Sequence, residues 1–499
     1  MANTQRPLDN ISKWVFSSSG IGRDAAYTLI SLFLLVYIQF TVTLSVAQFS
    51  ALSVIIVLCR VWDAVNDPMM GTIIENTKSK YGKFKPWIII GAFTNSFIIV
   101  ALFWFRPEGW AFVAFFGVAY LLWGMTFTIN DISWWSMIPA LTSDAKTRDQ
   151  LMTLVSFFAN AGAFVVAGLV PVFTTGNAVE AYRVTGLLVA LGFVLCQCAV
   201  LLFVSENRDT APNKEKMRFS DMFRILSKNK QLLWSVMSVF LLYLLGAIIN
   251  SLGMTFFYFE FGYDGAAMST FIIFYAIGSL LGTIVYPFLT RKFNRAQLLR
   301  GAIYMMTLGY LIMFLTGYLP FIPHSIWSFS AGGLVIFTAQ AVMYLIILVQ
   351  LTNTIEYEQY LTGNRNEAIL FSLRPLTAKA SGAVQQGLVS LILIVSGIYS
   401  LSNRIATLEQ QNVGVNVDIS GAANVIIDQA TPAMLLMLRA GITLVPMVLA
   451  WITYLLIKKK YFINEETYEV ILKELKMRED DPHHFDTSAI YKVAGGLKN

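Results

Sequence analysis

Twelve long apolar stretches constrain the fold of this chain more than any other feature of its sequence. Each approaches or exceeds the length of about 20 residues that a helix needs to cross a bilayer. They cover residues 14–42, 46–73, 87–105, 111–138, 150–174, 183–205, 232–259, 266–289, 301–322, 326–353, 367–398 and 433–457. The chain is 56% hydrophobic and 13% charged, whereas soluble domains carry about 25% charged residues. The sequence therefore predicts an all-α integral membrane protein with twelve transmembrane helices.

Lysine and arginine residues are concentrated in alternate loops, and this asymmetry predicts the orientation of the chain. The loops after the second, sixth, eighth and twelfth apolar segments are rich in basic residues, whereas the opposite loops contain almost none. Because basic loops stay on the cytoplasmic side, we expect both termini in the cytoplasm. The expected location is the inner or plasma membrane. The net charge of +6 is explained by these basic loops and does not indicate a nucleic-acid partner.

The basic linker at residues 206–231 divides the twelve segments into two groups of six. This pattern predicts an N-terminal bundle at 1–205, a C-terminal bundle at 232–457 with an outward loop at 400–431, and a cytoplasmic tail at 458–499. Six helices, a cytoplasmic linker and six more helices are the layout of major facilitator transporters. The sequence assigns no chemistry to the outward loop or to the tail.

The second apolar segment contains two acidic residues and one basic residue on a single helical face. Arg60, Asp63 and Asp67 are spaced i, i+3 and i+7, and Asn66 borders them. Two carboxylates one turn apart repel each other in a low dielectric unless one is protonated or a cation lies between them. Their oxygens suit Na⁺ or Li⁺, and a shared proton would serve equally well. We expect no metal site other than this one. The alternative is a structural ion pair between Arg60 and one of the two acids.

The fourth apolar segment places an acid beside an indole. Asp131 and Trp135 are i, i+4 neighbours, and Thr128 lies one turn before Asp131. Such a carboxylate can accept sugar hydroxyl hydrogens while the ring stacks on the C–H face of the sugar, and Thr128 can add an oxygen to the cation site. The alternative for Trp135 is interfacial anchoring or packing.

Charged residues also interrupt the first and eleventh segments. Arg23 and Asp24 lie in the first, and Arg374 and Lys379 in the eleventh. At 1.5 Å per residue, these side chains fall at a depth similar to that of Asp131. Because ionisable residues inside a membrane usually face a water-filled cavity, we expect one polar cavity. The alternative is a set of unrelated salt bridges that hold the bundle together.

These motifs resemble the glycoside–pentoside–hexuronide:cation symporter family of the major facilitator superfamily. The resemblance covers residues 10–475 in both halves. It is carried by the run Asp63-Ala-Val-Asn66-Asp67-Pro68-Met-Met-Gly71, by Lys78–Trp87, Asp131–Pro139 and Arg148–Gln150, and by Glu356-Tyr357 with Thr362–Glu367. It implies cation-coupled symport of a glycoside, pentoside or hexuronide by alternating access between the two sides of the membrane.

The resemblance also implies roles for individual residues. It assigns the cation to Asp63, Asn66, Asp67 and Thr128. It assigns the sugar cavity to Asp24, Asp131, Trp135 and Lys379, with Arg23 in place of a lysine. Two positions differ from the family pattern: Ser156 replaces a sugar-facing arginine, and Arg374 replaces an uncharged amide. We therefore expect that a positive charge has moved between helices and include Arg374 in the sugar site. An additional guanidinium would pair with a carboxylate, such as that of a uronide.

The sequence thus predicts a transporter and not an enzyme. We expect a sugar, a coupling ion (Na⁺, Li⁺ or H⁺) and the lipid bilayer as partners, no cofactor, and a monomer. Two alternatives stay open at this point. The first is a lysolipid transporter of the same fold, which would need a lateral apolar opening. The second is a membrane sugar sensor that does not transport, although the tail contains no recognisable signalling domain.

Overall fold

The computed structural model describes residues 9–142, 144–205, 229–363, 367–415 and 417–480. These residues form helices joined by short turns and contain no β-strand. Twelve of the helical stretches in this part of the chain are long and apolar enough to cross a membrane. The expected all-α fold with twelve transmembrane helices is confirmed. The linker at 206–231 lies mostly outside the described residues.

The first crossing is composed of several helical pieces, and the other crossings are single helices. The first contains α1 (Asn10–Ser18), α2 (Gly20–Thr28), a π-helical turn (Leu29–Phe33) and α3 (Leu34–Thr41). The rest of the first half comprises α4 (Val46–Glu75), α5 (Lys85–Trp104), α6 (Gly109–Leu141), α7 (Ala145–Thr174) and α8 (Ala178–Phe203). A π-helical turn inside a helix is rare and occurs often near functional sites.

The second half contains crossing helices of similar length and three shorter helices. They are α9 (Lys230–Phe261), α10 (Gly265–Leu289), α11 (Arg295–Leu315), α12 (Ile326–Thr362), α13 (Glu367–Val395), α14 (Ile398–Gln411), α15 (Ser420–Ile427), α16 (Pro432–Lys460) and α17 (Glu465–Asp480). The helices α14 and α15 lie in the segment between the eleventh and twelfth crossings. Helix α12 continues nine residues beyond the predicted end of its segment and stops at Gly363, whose φ of 76° favours glycine.

The described residues belong to two compact units. The first contains the described parts of Met1–Lys214 together with Asn250–Ile272 and Gln386–Leu438. The second contains the described parts of Glu215–Ile249, Ile273–Gln385 and Arg439–Asn499. Helices α1 to α8 all belong to the first unit, which therefore contains most of the predicted site residues.

Close packing of α5 against α6 fixes the helix that carries Thr128 and Asp131. A Cβ atom at Gly91 would lie 2.6 Å from the backbone nitrogen of Asn130, so only glycine permits this approach. The buried Asn130 amide donates a hydrogen bond of 2.8 Å to the carbonyl of Ile88. These contacts fix the orientation of α6 about its own axis at the residue that precedes Asp131.

In the second unit, the buried Arg439 and the half-buried Arg478 stabilise the ends of helices. Arg439 donates to the carbonyls of Phe314 and Thr316, where α11 ends. Arg478 of α17 donates to the carbonyl of Tyr360 in the last turn of α12. A positive charge at a helix C-terminus is favourable because the last carbonyls lack partners within the helix. The tail helix α17 is thereby attached to α12.

Candidate functional site

Arg23 of α2 joins two acidic residues from different helices. Its Nε and Nη2 atoms lie 2.9 and 2.7 Å from one oxygen of Asp24, and its Nη1 atom lies 2.5 Å from Asp131 of α6. The arginine side chain is 4% exposed, whereas Asp24 and Asp131 are 24% and 38% exposed. The two carboxylates therefore keep accessible surface while the guanidinium is enclosed. Pairing of this kind compensates the cost of burying the positive charge.

Two adjacent indoles complete the surroundings of Arg23. Its guanidinium carbon lies 4.2 Å from the ring centroid of Trp134 and 5.1 Å from that of Trp135. Trp134 is fully buried, stacks on Phe16 and donates to the hydroxyl of Ser19. Trp135 is exposed as well as close to the arginine, so part of its ring remains accessible at this site.

Arg60 and Asp63 form the second charged group, on α4. Their closest atoms are 3.8 Å apart, and both side chains are largely buried. The Arg60 guanidinium lies 5.6 Å from the ring centroid of Trp123 and 5.9 Å from that of Tyr120. Tyr27 of α2 hydrogen-bonds to Arg60 as well. Arg60 is thus held by aromatic rings and by one acid, which offsets the cost of placing it in the bundle.

Asp67 lies one turn beyond Asp63 and interacts with α6. The Thr128 hydroxyl donates a hydrogen bond of 3.0 Å to the Asp67 carboxylate. Asn66 is buried, and its side-chain nitrogen has no hydrogen-bond partner among the described residues. An unpaired buried donor is costly, so a ligand oxygen or a water molecule is the expected partner of Asn66.

Helix α6 connects the two groups. Thr128, which contacts Asp67, and Asp131, which contacts Arg23, are three residues apart on this helix. At 1.5 Å per residue, they are separated by about 4.5 Å along the helix axis. The structure thus brings together Arg23, Asp24 and Asp131 in one group, and Thr128 and Asp67 in an adjacent one.

The remaining predicted residues are placed less completely. Lys379 is half-buried on α13 and belongs to the second compact unit. The side chain of Arg374 lies outside the described residues, so its predicted role stays a prediction. Within the described ranges, no group of three or more His, Cys, Asp or Glu side chains is arranged to hold a metal ion.

Several residues that lie near the charged groups were not predicted from the sequence. Tyr27, Tyr120 and Trp123 surround Arg60, and Gly124 lies against Asp63. A Cβ atom at position 124 would lie 3.1 Å from an oxygen of Asp63. Trp123 precedes Phe127 by i, i+4, a spacing that the sequence does show. Nothing in it identifies Arg60 as the group that these rings surround.

Comparison with known proteins gives consistent matches over most of the chain. The family model described as MFS/sugar transport protein matches residues 15–465. The raffinose carrier protein of Pediococcus pentosaceus is 26% identical over 93% of this chain and 72% of its own length. The lactose permease of Lactobacillus delbrueckii subsp. bulgaricus is 28% identical over 78% of this chain. The match spans 64% of that permease, slightly less than two thirds of its length.

Solved structures with the same fold are more distant in sequence. A bacterial homologue of the human lysosomal transporter Spinster, crystallised in an inward-facing and unoccupied conformation, superposes with a TM-score of 0.64. The superposition covers 91% of this chain and 99% of the other, at 12% sequence identity. At this identity the likeness concerns the fold alone.

Proposed function

Because this chain belongs to the MFS/sugar transport protein family, we propose that it carries a sugar across the membrane together with a monovalent cation. Family membership makes it a multi-pass membrane transporter and not an enzyme. The observation that carries the finer proposal is the arrangement of the acids on α4 and α6. Two adjacent charged groups meet at α6: one contains Asp131, which is 38% exposed, and the other contains Asp67, which accepts a hydrogen bond from Thr128.

The proposed orientation places the basic loops in the cytoplasm. The loop between α4 and α5 contains Lys78, Lys80 and Lys83, and α16 ends in Lys458, Lys459 and Lys460. Basic loops are retained on the cytoplasmic side during insertion. The opposite end of the bundle, with α14 and α15, then faces outwards, and both termini are cytoplasmic.

The cation is proposed to bind beside Asp63 and Asp67. Carboxylate and hydroxyl oxygens are suitable ligands for Na⁺ or Li⁺, and either acid can instead accept a proton. Arg60 lies 3.8 Å from Asp63, and the Thr128 hydroxyl donates to Asp67, so the proposed ligand oxygens come from both α4 and α6. The side-chain oxygen of Asn66 completes the proposed ligand set.

The sugar is proposed to bind beside Asp24, Asp131 and Trp135. The two carboxylates retain accessible oxygens for sugar hydroxyl groups, and the exposed indole offers a surface for the C–H face. The guanidinium of Arg23 is already occupied by both acids. We therefore propose that Arg23 positions the two acids. The role of Lys379, which belongs to the second compact unit, stays a prediction from the sequence. The two named relatives carry raffinose and lactose, which are both glycosides.

Coupling is proposed to pass through α6. A cation at Asp67 would order Thr128, and the same helix presents Asp131 to the sugar one turn away. If each ligand raises the affinity for the other, the factor must be equal in both directions. The proposed cycle is alternating access by movement of the two six-helix halves, 1–205 and 232–457, around this site.

The proposal is tested by uptake into proteoliposomes that contain the purified protein. A panel of α- and β-glycosides, pentosides and hexuronides is offered with and without Na⁺ or Li⁺ at fixed pH, and then across a pH gradient. We expect at least one sugar to accumulate against its gradient when one cation gradient is imposed. Equilibration without accumulation would exclude symport. Exchange of sugar by counterflow without net uptake would contradict cation-coupled symport. Uptake of fluorescent lysolipids in place of sugars would indicate a lysolipid transporter.

A further inference from the structure

The segment between the eleventh and twelfth crossings forms an amphipathic helix whose apolar face is covered. In α14 the buried residues follow the spacing of a single helical stripe. They are Ile398, Tyr399, Leu401, Ser402, Ile405, Ala406 and Glu409. This helix belongs entirely to the first compact unit, which also contains α1 to α8. Its contacts within that unit therefore join the two halves of the sequence.

Polar contacts attach the first half of α14 to helices at the N-terminal end of the chain. The buried Gln39 of α3 donates to the Ser402 hydroxyl at 2.8 Å. The Tyr399 hydroxyl donates to the carbonyl of Leu44, and its ring stacks on Phe49 with a centroid distance of 4.1 Å. The backbone nitrogen of Leu44 donates in turn to the side chain of Asn403. These contacts attach α14 to α3, to α4 and to the turn between them.

The second half of α14 ends in a buried carboxylate. Glu409 is 1% exposed. One of its oxygens accepts a 2.8 Å hydrogen bond from the backbone nitrogen of Ala178, the first residue of α8. The other accepts a 3.0 Å hydrogen bond from the Tyr263 hydroxyl, in the turn between α9 and α10. A carboxylate at a helix N-terminus is favourable because the first amide groups there lack partners within the helix.

The surroundings of Glu409 contain one positive charge and three phenols. Arg106, in the turn between α5 and α6, faces it, as do Tyr263, Tyr182 of α8 and Tyr258 of α9. Burial raises the pKa of Glu409 to about 7, although the hydrogen bonds from Ala178 and Tyr263 and the charge of Arg106 act in the opposite direction. The protonated carboxyl can still donate to the oxygen of Tyr263, so both protonation states are compatible with these partners.

We propose that α14 is the outer gate of the transporter and that Glu409 is a proton-operated latch for this gate. Outward opening must separate α14 from α3, α4 and α8, which exposes Glu409 to external water. In water the carboxyl returns to its ordinary pKa near 4.5. The closed gate therefore binds the proton more tightly than the open gate. Below pH 4.5, the ordinary pKa of a glutamate, Glu409 is protonated in both states and its preference for the closed gate is complete. This preference is lost as the pH rises towards 7.

The size of the effect follows from the two pKa values. With a pKa of about 7 when closed and 4.5 when open, the ratio of open to closed gates should rise about tenfold between pH 6 and pH 8. Burial raises the pKa of Glu409 in the closed gate and the backbone of Ala178 lowers it; two side chains, Tyr263 and Arg106, lower it further. Changes at these residues should therefore shift the pH dependence without abolishing it.

The test measures access to a cysteine on the buried face of α14. Ser402→Cys is introduced into a chain in which Cys59, Cys196 and Cys198 are replaced by serine, and right-side-out vesicles are treated with a membrane-impermeant maleimide. The labelling rate is divided, at each pH, by that of Ser400→Cys, which is exposed on the same helix. This division removes the intrinsic effect of pH on thiol reactivity. We expect the normalised rate to rise about tenfold between pH 6 and pH 8.

Variants at the latch separate it from other titrating groups. Glu409→Gln, which imitates the protonated acid, should keep labelling slow at pH 8. The matched control Glu180→Gln removes an acid of α8 that pairs with Arg183 and should retain the full pH dependence. Tyr263→Phe removes one hydrogen-bond donor, which raises the pKa of Glu409 further, and should move the transition to higher pH. This variant keeps the proposal testable if Glu409→Gln does not fold.

Two results would overturn the latch. The first is a normalised rate that does not change with pH in the parent protein. The second is an unchanged pH dependence in both Glu409→Gln and Tyr263→Phe. The inference rests on the proposed alternating-access cycle, but the labelling needs neither sugar nor cation. If the labelling rate does not change with pH but sugar still accumulates uphill, the latch is wrong and symport is retained. If the labelling rate changes with pH but no sugar accumulates, symport is wrong and the latch is retained.

Discussion

Thr128 of α6 donates a hydrogen bond of 3.0 Å to Asp67 of α4. This contact joins α6, which carries Asp131 of the proposed sugar site, to α4, which carries the acids of the proposed cation site. Because Asp131 lies only one turn further along α6, a change in the charge or ligand of Asp67 reaches Asp131 through a single rigid turn. The proposed coupling between the cation site and the sugar site therefore requires only this one turn of α6.

Replacement of Thr128 by alanine should weaken the cation site. The hydroxyl gives a hydrogen bond to a charged group, which is worth about 1.5–3 kcal/mol. The cation concentration for half-maximal uptake should therefore rise on the order of tenfold or more. Thr94→Ala is the matched control, because Thr94 is exposed and its hydroxyl donates to the backbone of its own helix. An equal loss in both variants would show that Thr128 has no specific role.

Replacement of Asp131 by asparagine should act mainly on the sugar. It removes a charge that pairs with Arg23 and an acceptor for sugar hydroxyl groups. We expect the KM for sugar to rise by roughly tenfold or more, with a smaller change in cation dependence. Asp149→Asn, an exposed acid on α7, should leave both unchanged. An unchanged KM for sugar in Asp131→Asn would contradict a sugar site beside Asp131.

The glycine beside Asp63 offers a steric test. A methyl group at Gly124 would lie 3.1 Å from a carboxylate oxygen, which is closer than an ordinary van der Waals contact. Gly124→Ala should therefore lower the apparent cation affinity several-fold while the KM for sugar measured at saturating cation changes little. Gly301→Ala is the control, because a Cβ atom there has no neighbour within 4 Å. Identical cation dependence in the two variants would contradict a cation site at Asp63.

Removal of the charge of Arg106 should change the pH dependence of the outer gate. This arginine lowers the pKa of Glu409, so Arg106→Gln should raise that pKa further. The closed gate then persists to higher pH, and the labelling transition of Ser402→Cys moves upwards. Arg404→Gln removes an arginine from α14 itself, one that pairs with Gln429, and should leave the transition in place. A downward shift in Arg106→Gln would contradict the assignment.

Much of the fold could be predicted because lipid imposes strong rules on sequence. The length and apolar character of the crossing helices identified twelve spans, and the motifs around Asp63 and Asp131 identified the family to which the comparisons assign the chain. The spacing of Asp131 and Trp135 also predicted that both would lie on one side of α6. Local rules of this kind depend only on residues that are near in sequence.

The features that could not be predicted from the sequence depend on contacts between residues that are far apart along the chain. The outward loop contains the covered helix α14, and its key partner for Glu409 is an amide of α8, 231 residues away in sequence. The partners of Arg439 are carbonyl groups at the end of α11, which no pattern in the sequence marks. Likewise, the contact of Arg23 with two adjacent indoles depends on how α2 packs against α6, which the sequence does not show.

The most direct test of the account is uphill sugar accumulation by variants of the paired acids. Proteoliposomes with the parent protein, Asp63→Cys or Asp67→Cys receive an imposed gradient of the coupling cation, and the internal sugar concentration is measured at steady state. We predict that the parent accumulates sugar above the external concentration and that neither variant does, although sugar still equilibrates through both. Full accumulation by both variants would contradict a cation site on α4.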